Sequence, residues 1–254
     1  MPVKQCLVLP IFYPRSGLPL DTFCGVVAEI GYAAIELMRA DDDLPLVVET
    51  AHRHGLAVAS MVGHASLPDG LNKVENHDRI VAELRKHIDV AAEHGIGGLI
   101  CFSGNRKPGQ SDLEGMVVCA QGLRRIASYA EEKGVNLNVE LLNSRVNHPG
   151  YQCDHTDWGV ALCEMVGSPR VKLLFDIYHM QIMEGDLIRT IRKSIDWIGH
   201  FHTAGNPGRH DLDDSQELDY RGICKAISDT GYALYVGREF TPKGDYAIRA
   251  LWQA

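Results

Sequence analysis

The sequence predicts an α/β fold, a single eight-stranded parallel (β/α) barrel of the TIM-barrel type. The chain has 254 residues, close to the length of about 250 residues that such a barrel fills as one domain. Eight short apolar runs, rich in β-branched residues, alternate with longer segments of helical period. No linker or low-complexity segment divides the chain, so we assign residues 1–254 to one domain.

The eight predicted strands give the order of the barrel. They span residues 6–12, 33–38, 56–63, 97–104, 136–142, 171–177, 198–204 and 232–240. Helices are predicted between them, for example over 21–32, 77–95 and 114–134, and several end at the glycine that commonly terminates a helix. Strict alternation favours a parallel sheet, and eight units favour its closure into a barrel over an open sheet. Polar side chains at the carboxyl ends of the strands are then expected to line one site.

Composition and charge narrow the classes of function. Apolar residues make up 45% and charged residues 23% of the chain, as in an ordinary globular enzyme. The net charge of −8 disfavours nucleic acid as a partner, and no GxGxxG or GxxxxGK[ST] motif indicates a nucleotide site. Seven cysteines without a CxxC pair indicate reduced thiols. Since no signal peptide or long apolar run is found, we expect a cytoplasmic protein with no membrane partner.

Four predicted strand ends in the second half of the chain carry side chains that can bind a metal ion. They are Glu140, Asp176, His202 and Glu239. Taken singly, each is also explained as an acid at a loop mouth or as a hydrogen-bonded core histidine. On strands five to eight in turn they favour a shared cation, because unpaired buried charges are costly. This oxygen-rich set suits one divalent ion, Mg²⁺ or Mn²⁺ or else Co²⁺, and not a structural zinc.

Three further residues lie near strand ends inside the predicted barrel. His200 precedes His202 by two positions and therefore shares its inward face, one layer deeper. We expect His200 to orient a ligand, and an ordinary core histidine is equally compatible. Glu36 ends strand two and His64 ends strand three, where both are expected to close the pocket and to contact substrate.

Two residues in the loops after strands six and seven are candidates to hold a substrate. His179 follows Asp176, and Arg209 lies in the segment AGNPGRHD. An arginine binds a carboxylate or a phosphate through two hydrogen bonds, so a small acid would suit this site. The alternative is that Arg209 pairs with Asp211 or Asp213 at the surface.

Four segments of the chain carry a resemblance to a known family. They are VELLNSRVNHPGYQ, LLFDIYHMQIMEGD, IGHFHTAGNPGRHDLDDSQELDY and YVGREFTPKGD. In this order they resemble the xylose-isomerase-like barrel superfamily of sugar isomerases and epimerases, most of all its hydroxypyruvate isomerase branch. The resemblance implies that the four strand-end residues bind one divalent metal, that Glu140 and Glu239 also act as the catalytic acid and base, and that His179 and Arg209 contact substrate.

The resemblance implies a metal-dependent isomerase of the aldose–ketose type that acts on a small hydroxy-carbonyl acid. The leading expectation is the interconversion of hydroxypyruvate and tartronate semialdehyde through an enediolate. Isomerisation or 3-epimerisation of a larger keto-sugar or sugar acid stays open. The segment after Glu140 lacks the second glutamate that ketose 3-epimerases usually carry there, which makes that activity the weaker alternative.

Other classes of protein are less well supported. A zinc phosphodiesterase resembling endonuclease IV would bind three zinc ions and would use His64, but the segment CFSGNR lacks the further histidine that such a cluster needs. A barrel that binds metal but has no catalytic activity is a further alternative. Relatives are commonly dimers or tetramers, and a homo-oligomer is compatible with the sequence.

Overall fold

The computed structural model describes residues 2–39, 43–244 and 247–253, which form a closed barrel of eight parallel strands in chain order. The strands are β1 (Lys4–Val8), β2 (Ala34–Leu37), β3 (Ala57–Val62), β4 (Gly98–Cys101), β5 (Asn136–Glu140), β6 (Val171–Asp176), β7 (Ile198–Thr203) and β8 (Tyr235–Arg238). Parallel pairing of β8 with β1 closes the barrel. The predicted fold class is confirmed.

Helices connect the strands around the outside of the barrel. They are α1 (Leu9–Ser16), α2 (Leu20–Ile30), α3 (Leu44–Arg53), α4 (His77–His94), α5 (Asp112–Lys133), α6 (Thr156–Val166), α7 (Ile177–Met183), α8 (Leu187–Ser194), α9 (Tyr220–Asp229) and α10 (Ala247–Gln253), with 3-10 turns at Val74–Asn76 and Ile195–Trp197. As predicted, α4 and α5 end at glycines in the left-handed conformation, Gly95 with φ 68° and Gly134 with φ 73°. None of the helices in the described part of the chain combines the length and apolar character needed to cross a membrane.

Several strand boundaries differ from the prediction by a few residues, and the largest difference, at the end of β1, has an identifiable reason. The sequence predicts one strand over 6–12, but β1 ends at Val8 and α1 begins at Leu9. Pro10 lies in the first turn of α1, where its missing N–H is not needed and its fixed φ favours the helix. At the other end of the chain, β8 stops at Arg238 instead of continuing to residue 240. Glu239 therefore follows the strand at the rim of the barrel.

The interior of the barrel holds polar side chains below its carboxyl rim, and glycines leave room for them. A Cβ atom on Gly237 of β8 would lie 2.1 Å from Glu36 Oε1, and a Cβ atom on Gly199 of β7 would lie 2.2 Å from Asn138 Oδ1. Both acceptor residues are buried. Close approach of these side chains, each to a strand two positions away around the barrel, thus requires glycine at the two positions.

Candidate active site

Glu140, Asp176, His202 and Glu239 meet at the carboxyl end of the barrel. One ligand atom from each lies within 4.8 Å of the others. His202 Nδ1 is 3.1 Å from Glu239 Oε2 and 3.7 Å from Glu140 Oε1. The strand register explains the convergence, because Asp176 at the end of β6 pairs directly with His202 on β7. The structure thus brings together the four predicted strand-end residues.

The carboxylates of this group lie in a buried environment that penalises their charge. Burial, followed by the nearby Glu239, raises the pKa of Asp176 to about 7, and burial also raises the pKa of Glu140. Burial alone would raise the pKa of Glu239, but His202 and Arg209 outweigh it and lower that pKa well below its usual range. The group therefore resists holding three negative charges without a cation.

A proton on His202 balances part of this charge. Burial would lower the pKa of His202, but the carboxylates of Glu239 and Glu36 outweigh burial and raise it well above its usual range. A divalent ion between the carboxylates would supply positive charge at the same place and would compete with a proton on His202. Three carboxylates and one imidazole nitrogen are ligands that suit Mg²⁺ or Mn²⁺, so the residues fit the predicted ion.

The ring of His202 is held in place by Glu36. His202 Nε2 donates to Glu36 Oε2 at 3.0 Å, which leaves Nδ1 facing Glu140 and Glu239. Burial would raise the pKa of Glu36, but His200 and His202 lower it well below its usual range, so the group is a carboxylate. A carboxylate on one nitrogen of a ligating histidine fixes which nitrogen faces the metal.

Glu36 and His200 lie next to each other below the four strand-end residues. Glu36 is 1% exposed and bonds His202 from the side opposite to Glu140 and Glu239, a position that suits orientation of the ring. The substrate contact expected of Glu36 stays a prediction. His200 Nε2 faces Glu36 Oε1 at 3.0 Å, so His200 lies beside the carboxylate that holds the ring of His202. The thiol of Cys6 also donates to Glu36 Oε1 at 3.1 Å. The sequence analysis placed Glu36 at the end of strand two, but it did not predict the depth at which Glu36 lies.

His179 and Arg209 lie beside the carboxylates. The backbone N–H of His179 donates to Asp176 Oδ1 at 3.0 Å, and its side chain is fully buried. Arg209 Nη2 is 2.5 Å from Glu239 Oε2 and 3.9 Å from Asp176 Oδ2. Arg209 therefore faces the site and not the surface acids of its own loop. Its φ of 57° is a strained value for a residue with a side chain, of the kind that clusters at functional sites.

His64 accepts a hydrogen bond from the backbone just after β4. Its Nε2 accepts from the backbone N–H of Phe102 at 2.9 Å, and burial lowers its pKa to about 4. The charged groups that influence it are Glu83, Arg79 and His87. Among the described residues, the cluster of four ligand candidates does not include His64. The substrate contact expected of His64 stays a prediction.

Two residues that the sequence analysis did not single out face His179. Asn143 Nδ2 lies 2.5 Å from His179 Nδ1. The ring of His148 is 5.3 Å from that of His179, and its buried Nε2 has no hydrogen-bond partner among the described residues. Both belong to the loop after β5, within the segment VELLNSRVNHPGYQ. The sequence signalled a polar loop next to a ligand, but only the fold of the loop selects these two side chains.

Comparison with known proteins gives a consistent family. A sequence model of the xylose isomerase-like TIM barrel family matches residues 24–252. The 2-oxo-tetronate isomerase of Cupriavidus necator is 35% identical over 132 residues, which cover 52% of this chain and 50% of the relative. The hydroxypyruvate isomerase of Escherichia coli is 32% identical over 143 residues, which cover 56% and 55%. The chain thus spans about half the length of these two curated relatives.

One solved structure resembles almost the whole chain. The AP endonuclease, family 2, from Brucella melitensis superposes with a TM-score of 0.81 at 25% sequence identity. The superposition covers 97% of this chain and 96% of that one. The likeness therefore extends over almost the whole chain and not only over the half that carries the candidate ligands.

Proposed function

This chain belongs to the xylose isomerase-like TIM barrel family, and from that premise we propose that it is a metal-dependent isomerase of a small hydroxy-carbonyl acid. The reaction proposed is the interconversion of hydroxypyruvate and tartronate semialdehyde. The observation that carries the proposal is the convergence of Glu140, Asp176, His202 and Glu239 beside the guanidinium of Arg209. The names of the two relatives, a 2-oxo-tetronate isomerase and a hydroxypyruvate isomerase, support an isomerase that acts on a small keto acid.

The four strand-end residues would hold one Mg²⁺ or Mn²⁺ ion, with Co²⁺ as the alternative. When bound, the ion supplies Lewis-acid stabilisation of the negative charge that develops on the substrate oxygens. Glu36 would keep the ring of His202 oriented for this role through its hydrogen bond to Nε2.

Glu140 and Glu239 would carry the proton. The reaction removes a proton from the carbon that bears the hydroxyl group, passes through an enediolate, and returns a proton to the neighbouring carbonyl carbon. The two glutamates lie 3.7 Å and 3.1 Å from the same ring nitrogen of His202 and come from opposite ends of the four-strand arc. A substrate bound between them has a carboxylate within reach of each carbon, and either glutamate can accept or return the proton.

Arg209 and His179 would bind the oxygens of the substrate. Arg209 Nε is buried and has no hydrogen-bond partner among the described residues, so that N–H is available to a carboxylate oxygen. Burial, and then the charge of Arg209, lower the pKa of His179 well below its usual range. His179 would therefore act as a neutral group, which donates a hydrogen bond without adding charge. A substrate that carries a carboxylate matches this pair.

A proton NMR assay in D₂O tests the proposed function. Hydroxypyruvate is incubated with metal-stripped protein, then with Mg²⁺ or Mn²⁺ added, and in parallel with the Glu239→Gln variant. We expect metal-dependent formation of tartronate semialdehyde and deuterium incorporation, both lost in the variant. Exchange with larger keto-sugars or sugar acids, but not with hydroxypyruvate, would move the assignment to an isomerase or 3-epimerase of those compounds. Absence of metal-dependent exchange with hydroxypyruvate and with all of these larger compounds would overturn the proposed function.

A further inference from the structure

We propose that Asn143 is a positioning residue that fixes His179 in the tautomer with its proton on Nε2. This inference rests on the proposed function, because it assigns His179 as a hydrogen-bond donor to the substrate of that site. It concerns a contact 2.5 Å long between Asn143 Nδ2 and His179 Nδ1, in a pair of side chains that are both fully buried.

The orientation of the Asn143 amide follows from the backbone of its own loop. Asn143 Oδ1 lies 2.9 Å from the backbone nitrogen of Val146 and 2.9 Å from that of Asn147. A backbone N–H can only donate, so the side-chain atom between these two groups must be the carbonyl oxygen. The amide nitrogen is therefore the atom that faces His179, and the assignment does not depend on the ring.

The orientation of the amide determines the state of the ring. An amide N–H donates, so His179 Nδ1 must accept with its lone pair, and the single proton of a neutral imidazole then lies on Nε2. Nε2 is buried, has no hydrogen-bond partner among the described residues, and lies 3.6 Å from Asp176 Oδ2. The ring thus presents an N–H donor next to the proposed metal ligands.

The loop that carries Asn143 is attached to the helix that carries His179. Tyr178 Oη donates to Asn147 Oδ1 at 3.0 Å, and Asn147 Oδ1 also accepts from Asn143 Nδ2 at 2.7 Å. Arg145 Nη1 donates to the backbone oxygen of Ile182 at 2.8 Å. These bonds tie the loop after β5 to α7 at both ends of the helix. The Nε2–H of His179 is therefore held in place before the reaction, so it can stabilise charge that develops on a substrate oxygen without first having to reorient.

The variant Asn143→Asp tests the proposed role. The carboxylate keeps an oxygen for the two backbone N–H groups of the loop and keeps the volume of the side chain. It replaces the amide donor that faces His179 Nδ1 and Asn147 Oδ1 with an acceptor, so the bond to Asn147 is lost as well. Nδ1 of His179 must then carry a proton. Asn147→Asp is the matched control, because it makes the same chemical change in the same loop at an oxygen that already accepts both of its bonds.

Proton–nitrogen correlation NMR of the full-length chain labelled with ¹⁵N-histidine reads the tautomer directly, with the His179→Gln variant used for assignment. In the wild type and in Asn147→Asp we expect Nδ1 of His179 to resonate as an unprotonated nitrogen and Nε2 as a protonated one. In Asn143→Asp we expect Nδ1 to resonate as protonated. A protonated Nδ1 in the wild type, or an unprotonated Nδ1 in Asn143→Asp, would overturn the proposal.

The kinetic consequence is measured separately from the tautomer. In the D₂O assay we expect Asn143→Asp to lower kcat by about a hundredfold, the size of effect seen when one donor to a developing oxyanion is lost. Asn147→Asp should stay near wild type, and Mn²⁺ affinity should be unchanged in both variants. The NMR measurement needs neither metal nor substrate, so an inactive wild type would contradict the proposed function while the tautomer is still decided by the resonances.

Discussion

Glu36 joins the proposed ligand His202 to two other buried groups, His200 and Cys6. We expect Glu36→Gln to lower Mn²⁺ affinity by about 10- to 100-fold, because a neutral amide no longer stabilises the orientation and basicity of the His202 ring. Isothermal titration with Mn²⁺ measures the effect. Cys6→Ala is the control, since it removes one contact to Glu36 and leaves the Glu36–His202 bond. Equal affinity in Glu36→Gln and the wild type would contradict the assigned role.

Arg209 is the residue expected to distinguish acids from uncharged sugars. Arg209→Ala should raise KM for a carboxylated substrate by roughly 10- to 100-fold, since hydrogen bonds between charged groups contribute about 1.5–3 kcal/mol. Arg209→Lys keeps the charge but not the two-pronged geometry, and should recover part of the loss. Steady-state kinetics on an acid and on an uncharged ketose measure the contrast. An unchanged KM for the acid would remove Arg209 from this role.

We expect His64 to make the stability of the protein depend on pH. Its folded pKa of about 4 is below the ordinary value of about 6.5, so the unfolded chain binds a proton first as the pH falls. The free energy of unfolding should therefore decrease between about pH 6.5 and pH 4, by up to about 3 kcal/mol from this group.

His64→Gln tests the contribution, because the amide oxygen can still accept from the Phe102 N–H but does not titrate. Urea unfolding of the wild type and the variant is compared at pH 7 and pH 4.5. The variant should lose less stability over this interval by about 2–3 kcal/mol. An equal loss in both proteins would show that His64 titrates normally in the folded state.

Side chains at strand ends could be predicted from the sequence, and side chains in loops could not. Glu140, Asp176 and His202 each lie near the carboxyl end of an apolar run. Strand alternation therefore predicts that their side chains point into the barrel, and the parallel arrangement predicts that they lie at its carboxyl end. Asn143 and His148 follow β5, but their contacts depend on the hydrogen bonds of an irregular loop. Sequence periodicity carries no information about that loop.

At the scale of single elements, β8 brings Gly237 against Glu36 of β2. A Cβ atom on Gly237 would lie 2.1 Å from Glu36 Oε1 and 3.0 Å from His202 Cδ2. Gly237→Ala should therefore displace Glu36 and lower Mn²⁺ affinity about as much as Glu36→Gln does. Gly25→Ala on α2 is the control, because its nearest contact would be an ordinary 3.4 Å. Isothermal titration with Mn²⁺ measures the affinity. An affinity equal to that of the wild type in Gly237→Ala would contradict the assigned packing of Gly237 against Glu36.

The type of an element could be predicted wherever the segment with helical periodicity was long, as in α4 and α5. The prediction of element type was wrong over residues 9–12, where an apolar run continues without a break from β1 into α1. Apolar residues suit both a buried strand and a buried helix turn, so composition does not mark the boundary. Pro10 is the local signal that does, because it favours the first turn of a helix and cannot donate within a strand ladder.

At the scale of the whole molecule, the proposed ion would tie four adjacent strands together. We expect saturation with Mn²⁺ at about 100 times its Kd to stabilise the fold by about 2.7 kcal/mol and to raise Tm by roughly 5–10 °C. Asp176→Asn, which removes one ligand charge, should show a much smaller rise at the same concentration. Scanning calorimetry measures both. No change in the wild-type Tm would contradict a site built from β5 to β8.

The fold class could be predicted because eight alternations of strand and helix leave few other topologies. The substrate could not be derived in the same way. Composition and spacing indicate a cation and paired carboxylates, whereas the small acid follows from the family resemblance and from Arg209. The ligand set is thus the part of the account that the chain itself supports most directly.

Anomalous scattering from a crystal grown with Mn²⁺ tests that ligand set. We expect one strong peak per chain, bounded by Glu140, Asp176, His202 and Glu239. A second group of buried ligand atoms in the described part of the chain, Cys6, Glu36 and His200, lies directly below, and we expect no peak there. A peak among those three residues, a cluster of three peaks, or no peak between the four strand ends would contradict the account.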